Sequence, residues 1–133
     1  MSKIIFVDDD ENIRATFKDS IELMFDDEYE AICLDVEPSL REMMSTLDSF
    51  DDKVAYFIDE KLSHGGRANY SGIDIIEEIR KIDSKIPIYI LTSTASAIEQ
   101  YLGNIEFVID KNDWESSEEE NNLKQRFLRH IHT

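Results

Sequence analysis

The chain has a single cysteine and only two prolines in 133 residues, and no apolar run approaches the length of a membrane span. A lone cysteine, Cys33, makes no intrachain disulfide; it reads as a small core residue in a protein of the reducing cytoplasm. Scarce proline, with 41% hydrophobic and 10% aromatic residues, excludes a disordered chain and indicates a globular one. A spanning helix needs roughly 20 consecutive apolar residues, so no membrane insertion is expected. A signal-peptide pattern is also missing, because acids at 8–11 interrupt the first apolar run. Basic residues are few: 14 Lys and Arg stand against 30 Asp and Glu, a formal net charge of −16. A basic face is what displaces counterions from nucleic acid, so direct nucleic-acid binding is not expected. Anionic membrane surfaces are disfavoured for the same reason. The acid excess gives solubility through self-repulsion, and it would also suit a partner with a basic docking face.

What is present is a regular alternation. Short apolar runs at 4–7, 31–36, 54–58, 88–91 and 106–109 have the length of buried strands. Between them, apolar residues recur at helical spacing. Ile13, Phe17, Ile21 and Met24 predict a helix over 11–25, and Leu40, Met43, Met44 and Leu47 a second. Ile73, Ile76, Ile79 and Ile82 mark a third helix, 95–102 a short fourth, and Leu123, Phe127, Leu128 and Ile131 a fifth. Five strands alternating with five helices predict an α/β domain, residues 1–133, with a parallel sheet covered on both faces. A polar loop, LSHGGRANYSG, fills 62–72 and reads as a surface insertion.

In such sheets, functional groups collect beyond the carboxyl ends of the strands. That edge receives Asp8, Asp9 and Asp10 after the first strand and Asp59 at the end of the third. It also receives Thr92, Ser93 and Thr94 after the fourth strand and Lys111 after the fifth. Any one Asp, Ser or Thr there is more often a helix cap than a ligand; four strand ends carrying complementary chemistry are harder to explain that way. Clustered carboxylates repel one another unless a cation sits among them. Acids and hydroxyls without a His or Cys cluster suit a hard, oxygen-seeking ion, and Mg2+ fits best. Lys111 and the Thr92 hydroxyl would then hold phosphate oxygens, and a carboxylate can itself be the nucleophile that forms an aspartyl phosphate.

The segments FVDDDENIR, YFIDEKL, SGIDIIEEIR, PIYILTSTAS and FVIDK, in that order and spacing, resemble the landmarks of the response-regulator receiver domain of two-component signalling. The resemblance runs from Lys3 to the end of the chain. It implies a flavodoxin-like (βα)5 three-layer sandwich with five parallel strands in the order 2-1-3-4-5. It also implies phosphotransfer from a histidine kinase or a histidine phosphotransfer protein. With the fifth helix expected to use the last residues, no output domain is expected, and the output is expected to be contact with a downstream protein target or onward phosphotransfer to a histidine. Carried over by position, Asp59 would be the phosphoacceptor. Asp8, Asp9, Asp59 and the backbone carbonyl of Lys61 would hold Mg2+, while Thr92, Ser93 and Lys111 would engage the phosphate. Asp10 lies outside the matched acids and is expected to cap the first helix.

The chain departs from the pattern in several places. Asn112 follows the lysine where the family usually has proline, and the loop after Asp59 is about five residues longer than usual. Val108 replaces the usual aromatic switch residue; β-branched and short, it has no ring to swing. A phosphate-dependent change is therefore expected in the loops after Asp59 and Thr92 rather than along the fifth strand. Two rivals are a phosphorylation-independent pseudo-receiver that only docks, and a small haloacid-dehalogenase-type phosphatase. The phosphatase would use Asp8 as nucleophile and Asp10 as acid/base.

Overall fold

Ile4 to Val7 have no exposed surface at all, so the first strand is buried on both faces, as expected of the interior of a parallel sheet. The computed structural model describes residues 2–24, 28–62, 68–92 and 107–110. These form β1 (Lys3–Val7), α1 (Glu11–Met24), β2 (Glu30–Leu34), α2 (Leu40–Asp48), β3 (Lys53–Asp59), α3 (Gly72–Ile82), β4 (Ile88–Thr92) and β5 (Phe107–Asp110). The strands are all parallel and ordered β2-β1-β3-β4-β5, as the alternation and the resemblance predict. The expected helices at 95–102 and 123–131 lie outside the described residues.

Strand alternation divides the core into two layers. On one face, Phe17 and Ile21 of α1 pack on Ile4, Phe6, Phe57 and Tyr89. There Phe6 and Phe17 stack at 4.0 Å between ring centroids, and Phe57 and Tyr89 at 4.7 Å. On the other face, Met43 and Leu47 of α2 and Ile75, Ile76 and Ile79 of α3 cover Ile5, Val7, Tyr56, Ile58 and Ile90. The two faces use neighbouring residues of the same strands, which makes helix, sheet and helix three layers. Ser39 caps α2 by accepting from the Glu42 N–H. At the other end of that helix the Leu47 carbonyl accepts from the Phe50 N–H at 3.3 Å and from the Lys53 ammonium at 2.9 Å.

Several element ends move by one residue from the sequence reading, and two features differ by more. β2 stops at Leu34 rather than residue 36: the Asp8 N–H bond to Leu34 O follows the last paired residues, and the chain then bends at Pro38 and Ser39. Val36 is still buried, but outside the ladder. The polar loop after β3 is also less of a surface insertion than its composition suggests. Leu62, Ala68 and Tyr70 are buried in the α2/α3 core, and the Tyr70 hydroxyl donates to the Glu37 carbonyl at 2.6 Å. Residues 63–67 lie outside the described part.

This bond leads to a prediction. Burial pushes the Tyr70 phenol up to about 12, so the neutral form is the one the fold favours. Its contribution is complete below pH 10 and disappears as the pH climbs from 10 through 12, because only the unfolded chain then releases the proton easily. Tyr70→Phe should cost about 1 kcal/mol at neutral pH and flatten the loss of stability between pH 10 and 12. Denaturant midpoints across that range check both parts.

Candidate functional site

All five strands end at the same edge, and register decides which side chains meet there. Val7 is paired with Ile58, so Asp8 and Asp59 follow side by side on adjacent strands. Both are 1% exposed, and Asp9 is half-buried beside them. One carboxylate oxygen from each of Asp8, Asp9 and Asp59 lies within 4.8 Å of the others. This is the convergence expected from strand ends alone.

Each acid is held by its local backbone. The Asp8 N–H donates to Leu34 O at 3.2 Å, and its Oδ1 accepts from the Asp10 N–H at 2.9 Å, closing a tight turn that contains Asp9. Asp10 Oδ1 accepts from the N–H groups of Asn12 (2.9 Å) and Ile13 (3.2 Å), so Asp10 is the cap of α1, as expected. It is exposed, and with its carboxylate engaged by the helix it is poorly placed as the acid/base of a phosphatase.

Asp59 is the last residue of β3. The next residue is held at both ends: Glu60 N–H donates to Leu91 O at 2.9 Å, and Glu60 O accepts from the Gly72 N–H at 2.9 Å. Gly72 begins α3 behind a capping box of Ser71 and Asp74. A Cβ on Gly72 would fall far inside contact distance of the Asp59 carbonyl oxygen and 3.0 Å from Ile58 Cγ2. Only glycine lets the helix start this close to the strand.

The other expected site residues are placed less fully. Lys61 lies two residues beyond Asp59 with its side chain exposed. Thr92 ends β4, one step past Leu91, which pairs with Asp59. Thr92 in turn pairs with Asp110, the residue before Lys111. Ser93 and Lys111 lie outside the described residues.

Sequence reasoning missed two residues at this edge. Arg14 Nη1 donates to the Asp8 carbonyl at 2.7 Å and lies 3.4 Å from Asp35 Oδ1. Asp35 follows β2 directly, but a strand read over 31–36 places it inside the strand, so the strand-end rule that selected Asp8 and Asp59 passes over it. Cys33, two residues earlier within β2, is half-buried, and its thiol is pushed up to about 11, chiefly by burial. It is therefore a poor nucleophile at neutral pH.

The donors fit Mg2+. Three clustered carboxylates without nitrogen or sulfur ligands match its preference for a small, all-oxygen site.

No family model matches the sequence, and no curated protein is detectably similar. Solved structures are. A response regulator receiver domain protein from Clostridium thermocellum shares 20% identity at a TM-score of 0.73, covering 99% of this chain and 95% of its own. The fold is that of response-regulator receiver domains. Response regulator TrrA from Thermotoga maritima, solved with Mg2+ and BeF, gives 22% identity and a TM-score of 0.71 over 95% of this chain and 99% of its own. The non-phosphorylated HemR receiver domain from Leptospira biflexa gives 21% and 0.68 over 98% and 94%. Among the described residues, no helix is long and apolar enough to cross a membrane.

Proposed function

We propose that residues 1–133 form a phosphoacceptor receiver domain of a two-component or phosphorelay system. The observation that carries this reading is the meeting of Asp8, Asp9 and Asp59 at the ends of β1 and β3. Asp59 is the nucleophile. One of its carboxylate oxygens forms a bond to phosphorus as the N–P bond of a phosphohistidine breaks, and the histidine nitrogen keeps the electron pair. The donor is a histidine kinase or a histidine phosphotransfer protein.

Asp8, Asp9, Asp59 and the Lys61 carbonyl would hold Mg2+, which would supply positive charge to offset the carboxylates and the incoming phosphate. Bonds from Glu60 N–H to Leu91 O and from Gly72 N–H to Glu60 O restrain the chain next to Asp59 as the bond forms. Thr92, Ser93 and Lys111 are assigned to the phosphate oxygens by their strand-end positions. The phosphorylated domain acts in the cytoplasm through contacts with a downstream protein, not through turnover of a small substrate or direct nucleic-acid binding.

Incubation with acetyl phosphate and Mg2+, read by intact mass, tests the proposal. One phosphoryl group is expected on the wild-type chain, and none after chelation of Mg2+. An unlabelled chain under both conditions favours the phosphorylation-independent docking module.

A further inference from the structure

We propose that Arg14 is a positioning residue for the cation site, an inference that rests on the receiver reading above. Arg14 lies in the first turn and a half of α1, and its side chain is only 18% exposed. That is low for an arginine on an outer helix of so acidic a chain, and the reason is its two contacts. A single nitrogen, Nη1, donates to the Asp8 carbonyl at 2.7 Å and is paired with Asp35 Oδ1 at 3.4 Å. Asp35 Oδ1 also accepts from the Val36 N–H at 2.7 Å, so the anchor of the guanidinium is itself fixed at the end of β2.

The consequence falls on Asp8 and Asp9. The Asp8 N–H is held by β2, its Oδ1 by the Asp10 N–H, and its carbonyl by Arg14. Peptide planarity makes the Asp8 carbonyl direction and the direction in which Asp9 leaves a single variable. Arg14 therefore restrains the backbone position from which the Asp9 side chain enters the site, without touching the ion. Groups that orient metal ligands in this way commonly change metal affinity by 10–100-fold when removed.

Charge and positioning predict opposite signs here. Arg14 places a positive charge one residue from a dication site, so by Coulomb repulsion alone its neutralisation would tighten Mg2+ binding. If it orients the ligands, neutralisation weakens binding instead.

Calorimetric titration of Mg2+ into the full chain separates the two. Arg14→Gln should bind Mg2+ roughly tenfold more weakly or worse. Arg14→Lys should fall between the wild type and Gln, because its charge is kept but its shorter stem does not span both acceptors. Thermal melts without Mg2+ report whether each variant folds. Unchanged or tighter binding by folded Arg14→Gln overturns the inference and leaves the receiver reading intact. If that variant does not fold, wild-type affinity in Arg14→Lys overturns it equally. Absence of Mg2+ binding by the wild-type chain overturns the receiver reading and this inference together.

Discussion

Gly72→Ala is expected to cost about 3 kcal/mol of stability and to slow phosphorylation of Asp59 on the order of tenfold. The added methyl would meet the Asp59 carbonyl oxygen, the Asp59 carbonyl carbon at 3.0 Å and Ile58 Cγ2 at 3.0 Å. Two of these are backbone atoms of a central strand, and the third belongs to a fully buried side chain. None can yield as the end of a flexible surface residue would. Relief must come from moving the start of α3, which breaks the Gly72 N–H bond to Glu60 O and loosens the residue after Asp59 at its carbonyl end. Urea midpoints give the stability cost, and the rate of mass gain with acetyl phosphate gives the kinetic one. A variant as stable and as reactive as the wild type would mean that the helix start moves without disturbing Asp59.

Asp59→Asn is expected to stabilise the metal-free chain by about 1–2 kcal/mol, a rise of roughly 3–8 °C in Tm. Carboxylate oxygens of three acids lie within 4.8 Å of one another, two of the acids almost wholly buried. A pair of unit charges at that distance repels by about 3.5 kcal/mol at an effective dielectric near 20, and neighbouring groups offset part of this. Mg2+ should reverse the order. It stabilises the wild type by mass action, about 2.7 kcal/mol at a hundredfold excess over its Kd, and acts more weakly on a site short of one carboxylate. Thermal unfolding with and without Mg2+ measures both effects. A variant that melts below the wild type without metal, yet responds equally to Mg2+, would show that the three acids are not a shared cation site.

The central strands and the acid cluster were legible for a simple reason. An apolar run such as Ile4 to Val7 that ends in acids has few other solutions than a buried strand whose end is functional. Asp10 was legible as a cap because the helical stripe begins just after it. Arg14 was not, because a lone arginine in a helix pattern is usually solvated, and its acceptor is a backbone carbonyl that no sequence pattern displays. Asp35 was hidden by the early end of β2. Tyr70, set among Asn69, Ser71 and two nearby glycines, looked like surface, yet its ring enters the core and its hydroxyl finds the Glu37 carbonyl. Gly72 could be read as a helix start, but its need to be glycine comes from the Asp59 backbone, thirteen residues away in the chain. Local pattern displays what each element buries on its own; it does not display which backbone atoms two elements bring together.

The assignment of Asp59 is tested most directly by locating the phosphoryl group. After reaction with acetyl phosphate and Mg2+, borohydride reduction converts an acyl-phosphorylated aspartate to homoserine, and peptide mass spectrometry finds its position. Homoserine at position 59 is the predicted result, lost with Asp59→Asn. Homoserine at Asp8 instead, with position 59 still aspartate, would contradict the account and turn the site toward the chemistry of a phosphatase.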